Sequence, residues 1–504
     1  MISTTKRPVA LARGMAILAL AIGLAMPLAT PLAAERVAIG QTFVAGGLDP
    51  AVGSTGWALV THGIAEQLFT VSKAGEVVPQ LASGAERTGP TTWRISLAPD
   101  RRFADGSPVD AAAVATSLNR TSEANPAARA SAGRLEFRAS DAETLVVETE
   151  RPTPILPSIL AEWAFPVYRE TAADPVFTGP FAVAGFAPGE RIDLVPNEHF
   201  DGAERRPSIT LTRVADPQAL ALGLMAGELD MAFNLPVESL GMIEARPDLT
   251  VESFPVAYQY MMWLNTRRAP LADARVRRAI DLAIDRADLA KAARAGIPAT
   301  GAFAAIYPFA AERGTVADPA AAARLLDEAG WLLDGTGRRV KNGETLELTL
   351  HAYPQRPDLV TFQPVVRAAL EDLGIGITTR VVETPSETAR GGDFDLFLWA
   401  QHTAPAGDPA FFLSLFLESS GDNNYSGWSN AAFDAVIEAL REEADPDERV
   451  FLAHEAQRLI AEEAPVAFLL TPEWHVGLSS RLADYEPWGS DYYVIRADLQ
   501  VTKP

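Results

Sequence analysis

The chain has 504 residues, with 43 Lys plus Arg against 65 Asp plus Glu, a formal net charge of −22, and no cysteine. That balance excludes nucleic-acid binding through a general basic surface, which needs clustered cations to displace counterions. The missing cysteine excludes disulfides, thiolate chemistry, Cys-ligated zinc and iron–sulfur clusters. A hydrophobic fraction of 48% with 21% charge suits a folded globular protein, and the length predicts about three structural units at roughly 150 residues each.

Residues 1–34 read as an address. Lys6, Arg7 and Arg13 start it, an uncharged apolar run covers Met15 to Met26, and a small, turn-prone stretch ends at Ala33-Ala34. This is the layout of a secretory signal peptide cleaved after Ala34, and it predicts a soluble protein exported to the periplasm. The alternative, a retained membrane anchor, is opposed by Pro27, Pro31 and the lack of a positive stop-transfer flank. No later stretch is apolar enough to span a bilayer.

Strands and helices then alternate without a solenoid or propeller repeat. A strand from Val37 leads through the Gly-rich loop Ala45–Ser54 into a helix predicted over Trp57–Phe69. Thr92–Leu97 alternates as a half-buried strand should, Asp110 caps a helix to Arg120, and Thr144–Thr149 is another strand. Short strands run from Thr178 to Val214, with a hairpin turn at Ala187–Glu190. Asp273 caps a helix whose Val276, Ile280 and Ile284 form one stripe, and Asp318-Pro319 opens a helix that Gly330 ends. Strand Leu346–Tyr353, helix Thr361–Leu373 and strand Gly376–Glu383 form a βαβ unit, which predicts a parallel sheet. A buried strand over Asp393–Ala400, helices over Asn430–Glu443 and Pro446–Glu463, and a strand over Pro465–Leu470 complete the pattern.

Catalytic and cofactor signatures are missing. There is no phosphate loop, dinucleotide fingerprint, nucleophile elbow or zinc helix, and the six histidines share no metal-ligand spacing. No cofactor is expected. Ligands of open α/β sheets lie beyond the carboxyl ends of the strands. The stretch after the strand Asp393–Ala400, with Trp399, Gln401, His402 and Thr403, is therefore a candidate ligand wall offering an aromatic face, an amide, an imidazole and a hydroxyl. Trp399 serves core packing equally well, because strand residues alternate faces. Asp408-Pro409 reads as a cap for the helix Pro409–Phe416. His402 is the only candidate metal ligand. The aromatic segments around Trp57, Tyr258 to Trp263 and Trp488 to Tyr493 offer further walls.

Ordered motifs carry a family resemblance. They are Val78-Pro79-Gln80-Leu81-Ala82, Thr92-Trp93-Arg94-Ile95-Ser96-Leu97, Phe103-Ala104-Asp105-Gly106-Ser107-Pro108, Thr178-Gly179-Pro180-Phe181, Asn197-Glu198-His199-Phe200 and Ala226-Gly227-Glu228-Leu229-Asp230. The most specific is Leu264-Asn265-Thr266 through Asp273-Ala274-Arg275-Val276-Arg277-Arg278-Ala279-Ile280 to Ala283-Ile284-Asp285-Arg286, followed by Ala329-Gly330-Trp331. From about residue 37 to the C-terminus the chain resembles the peptide/nickel-type (family 5) solute-binding proteins of ABC importers.

The resemblance implies a two-lobed α/β periplasmic-binding-protein fold. Lobe I would comprise 35–76, 178–262 and 478–504, a small β-rich accessory domain 77–177, and lobe II 263–477. It implies a monomer that captures a small solute in the interlobe cleft and delivers it to the permease subunits of an ABC importer. The family's cargoes are peptides, chelated nickel or other metals, opines and sugars. By alignment, the aspartate that pairs with a peptide amine falls at Pro405. The arginines gripping a nickel chelator fall near Ala128 and at Trp163, its histidine at Gly421 and its cleft tryptophan at Thr403. Ser54 and Ser490 keep hydroxyls at contact positions. An exported enzyme on the same scaffold, or a receptor for a chemosensory partner, stay open as alternatives.

Overall fold

The computed structural model describes residues 35–311, 316–354, 356–489 and 492–502. The proposed signal peptide and Ser490 lie outside the described residues. Residues 36–504 form one compact unit, built on two principal sheets and a smaller one.

The first sheet has seven strands, in the order Phe181–Ala187, Arg191–Pro196, Ser208–Arg213, Arg36–Gln41, Met231–Phe233, Glu473–Ser479 and Leu249–Pro255. Arg36–Gln41 runs parallel to both of its neighbours, and the other pairings are antiparallel. The second sheet has six strands, in the order Ile297–Pro298, Val466–Thr471, Tyr258–Leu264, Leu396–His402, Glu347–Ala352 and Gly376–Val381. Glu347–Ala352 runs parallel to both Leu396–His402 and Gly376–Val381, and with helix Pro357–Glu371 crossing to the latter it forms the anticipated βαβ unit. A four-stranded antiparallel sheet over residues 82–149 is covered by helix Ala111–Ala124, whose Asp110 side chain accepts from the Ala113 N–H as a cap.

Each sheet has its own apolar core. In lobe I, Val37 and Ile39 pack with Leu59, Tyr485 and Ile495. In lobe II, fully buried Trp263 stands against Phe412, Phe416 and Tyr425, with ring centroids 6.3, 6.1 and 6.0 Å away. Burying such aromatic side chains removes 150–250 Å2 each from water, which makes them leading contributors to the core.

Three expectations are corrected. The helix predicted over Trp57–Phe69 ends at Thr61, because Gly63 turns the chain with φ 66° and Phe69 opens a strand. The strand predicted to stop at Ala400 continues to His402, paired by register with Tyr258. Gln401 and His402 are therefore strand residues. The lobe divisions at 262/263 and 477/478 fall inside continuous strands, Tyr258–Leu264 and Glu473–Ser479. The chain passes between sheets earlier, at Val256-Ala257 and at Pro472, where Val256 N–H donates to the Pro472 carbonyl at 3.1 Å.

Candidate functional site

The two crossings fix where a ligand can be held. In lobe I the parallel strands end at Gln41 and Phe233, at the same edge as Pro255 and Glu473. In lobe II the strands end at Ala352, His402 and Thr471, at the edge where Tyr258 begins. The carboxyl edges of the two sheets therefore meet along one seam beside a two-strand hinge. This is the position at which open α/β sheets place ligands.

Tyr258 and His402 stand opposite each other in register, with ring centroids 5.2 Å apart, and His402 stacks on Tyr492 at 5.0 Å. His402 is buried, its Nδ1 has no hydrogen-bond partner, and burial lowers its pKa to about 3, so the ring is neutral at physiological pH. Thr403 is wholly buried, also with an unpartnered hydroxyl. Trp399 and Gln401 occupy the opposite face of the same strand, where Trp399 Nε1 donates to Gln401 Oε1 at 3.3 Å. The Trp399 ring packs against Tyr353 and Tyr425, with centroids 5.4 and 5.1 Å away. Trp57 belongs to a separate lobe I cluster, stacked on Phe43 at 4.3 Å, and Phe43 also faces His62. Ser54 is exposed just before the helix Thr55–Thr61. Asp408 does more than cap. It accepts the Ala410 N–H and forms a buried bidentate ion pair with Arg449, with contacts of 2.6 to 3.1 Å.

Three cavities open along the seam, each walled from both sides. One of about 210 Å3 lies between Arg151–Glu162 of the small domain and Ala406–Arg441 of lobe II. One of about 30 Å3 sits beside His402, Pro405 and Trp488. One of about 140 Å3 is bounded by Glu238 and Trp474 on one side and by Tyr260 and Asp358 on the other. Single drug-sized ligands need about 300–1,000 Å3, so each cavity suits a small solute or one portion of a larger one. The small domain reaches lobe II directly, through Ser158 Oγ–H donating to the Ala406 carbonyl at 2.7 Å.

Sequence reasoning missed Arg356 and Trp474. The Arg356 guanidinium lies over the Tyr258 and Trp474 rings, 5.3 and 5.7 Å from their centroids, and so joins the lobes across the hinge. Trp474 follows the crossing at Pro472, a boundary that no local pattern marks. Among the described residues no group of three His, Asp or Glu side chains is placed to hold a metal ion, so His402 belongs to no such group.

Two α/β lobes with facing carboxyl edges and a two-strand hinge define a cleft-type binding protein. Residues 76–424 match the family described as bacterial extracellular solute-binding proteins, family 5, middle region, and the chain belongs to that family. Protein XP55 of Streptomyces lividans is 29% identical over 423 residues, covering 78% of this chain and 76% of its own. The glutathione-binding protein GsiB of Salmonella paratyphi A is 28% identical over 480 residues, covering 88% and 91%. The solved structure of a nickel ABC transporter from Bacillus halodurans aligns with a TM-score of 0.79 at 29% identity, over 93% of this chain and 100% of that one.

Proposed function

We propose that this solute-binding protein captures a small solute, either peptide-like or a metal carried inside an organic chelator, and hands it to the permease of an ABC importer. The observation carrying the reading is the meeting of two carboxyl edges over a two-strand hinge in a chain of this family. In the same reading the leader directs export to the periplasm and is removed after Ala34, the protein acts as a monomer, and no bond in the cargo is made or broken. Ligand contacts to both lobes shift an open–closed equilibrium toward closed.

Relatives named for glutathione and for nickel support both cargo classes. The aromatic rings of Tyr258, His402 and Tyr492, with the Thr403 hydroxyl, form the central wall in this proposal, and Gln401 contributes from the other face of its strand. Ser54, Trp57 and Ser490 contribute from lobe I, and Trp399 acts by supporting Gln401.

The test is native mass spectrometry of protein from the producer's periplasm, with elemental analysis. A bound mass released on denaturation is the expected result, organic alone for a peptide-like cargo or with a transition metal for a chelate. Protein that carries nothing, and that takes up neither peptides nor nickel–histidine afterwards, would overturn the reading. His402→Ala is expected to weaken binding about tenfold, roughly 1.4 kcal/mol.

A further inference from the structure

The cavity of about 140 Å3 is bounded by residues that no motif singles out, and their chemistry is one-sided. Glu238 stands at its rim, exposed in the first turn of helix Val237–Glu244 of lobe I. Asp358 enters from lobe II in the first turn of helix Pro357–Glu371, and its Oδ2 accepts the Tyr260 hydroxyl at 2.9 Å. Burial raises the Asp358 carboxyl above its ordinary range, the Tyr260 bond and Arg356 pull it back, and the charge of Glu238 across the seam raises it again. Glu473 adds a third carboxylate, with its Oε2 accepting the Gly296 N–H at 2.9 Å. The cavity's own cation, Arg356, lies over the Tyr258 and Trp474 rings. Three carboxylates thus face one guanidinium.

His475 gives an independent indication that the cavity suits a polar group. It lines the cavity and is only 5% exposed. Its Nδ1 is 2.7 Å from Ser253 Oγ, while its buried Nε2 has no hydrogen-bond partner. Leaving such a nitrogen unsatisfied costs about 1–3 kcal/mol, which makes it a ready partner for a polar group entering the cavity. Burial lowers the pKa of His475 and favours the neutral ring. In the tautomer whose Nδ1–H donates to Ser253 Oγ, Nε2 is an acceptor. Since no three His, Asp or Glu among the described residues are placed to hold a metal ion, a bare ion fits less well than a larger cation carrying several N–H donors.

We propose that this cavity is a subsite for a cationic nitrogen of the transported solute, a primary ammonium or a guanidinium. Asp358 from lobe II, Glu238 from lobe I and His475 Nε2 accept its N–H bonds. The inference rests on the cleft being the solute site, and it adds the charge class of the solute. It also links recognition to closure. Glu238 and Asp358 repel each other across the seam when it is empty, and a cation between them turns that repulsion into attraction toward a shared partner.

The experiment offers unfolded-and-refolded, ligand-stripped protein an equimolar pool of basic, neutral and acidic di- and tripeptides, diamines and nickel–histidine, and reads the retained masses by native mass spectrometry. Basic members should be enriched at least tenfold over neutral ones. That preference should fall to less than twofold in Glu238→Gln, an exposed position whose substitution spares the fold, and in Asp358→Asn. Retention of solutes with no preference for basic members, or a preference untouched in both variants, overturns this inference and leaves solute capture standing. Retention of nothing by folded wild-type protein overturns both.

Discussion

His62 is enclosed in lobe I with neither ring nitrogen hydrogen-bonded, and burial lowers its pKa to about 3. The unfolded chain, with an ordinary imidazole near pH 6.5, binds a proton that the folded protein refuses. Its contribution to stability is therefore complete above about pH 6.5 and is lost as the pH falls toward 3, at up to about 1.4 kcal/mol per pH unit. Between pH 7 and pH 5 the loss amounts to about 2 kcal/mol. In urea titrations at these two pH values, His62→Phe should show a pH-dependent loss smaller by about that amount. An unchanged difference between the two pH values would mean that the ring is already charged or solvated in the fold.

At the scale of elements, the segment after strand Leu396–His402 is held by one ion pair to helix Pro446–Glu463. Arg449 grips Asp408 with two nitrogens, and its remaining nitrogen donates to the Leu440 and Glu443 carbonyls at 2.5 and 2.8 Å. Both side chains are buried, so Asp408→Ala leaves a guanidinium without its counter-charge and should cost about 3–5 kcal/mol, measured by urea unfolding. Replacing both partners, as Asp408→Leu with Arg449→Met, should recover most of that loss. If the double variant is as unstable as the single one, the pair has a role beyond neutralising buried charge.

Asp408 also marks how far sequence carries. Its place next to Pro409 made a helix cap legible, as at Asp110, Asp273 and Asp318, all of which do accept backbone N–H groups. Its partner lies on a helix far along the chain, and no local pattern announces it. The lobe crossings were misplaced for a related reason. Tyr260–Leu264 is an unbroken apolar run inside the strand Tyr258–Leu264, and only pairing shows that the sheets change before it. Glu238, Asp358 and His475 belong to three separate elements, so the cavity they share exists only once both lobes are assembled.

At the scale of the whole molecule, the closeness of the lobes depends on a residue with no side chain. Gly407 has φ 68°, and a Cβ there would stand 2.8 Å from the carbonyl oxygen of Gly75, in the turn joining strands Phe69–Val71 and Val77–Pro79 across the seam. Gly407→Ala should therefore force the surfaces apart and strain its own backbone. Small-angle scattering of the ligand-free variant should give a larger radius of gyration than wild type, with affinity for the natural solute reduced about tenfold. Superimposable scattering curves would show that the contact does not limit closure.

The order of segments in lobe I bears on how the protein is made. Its core joins Val37 and Ile39, near the start of the chain, to Tyr485, Ile495 and Leu499, near its end. The strands of lobe II all fall within the continuous stretch from Tyr258 to Thr471. During synthesis lobe II can collect its strands before Tyr485, Ile495 and Leu499 have emerged. Lobe I has Leu59, Ile209 and Met231 for its first strand by then, but it completes its core only when Tyr485, Ile495 and Leu499 have followed lobe II.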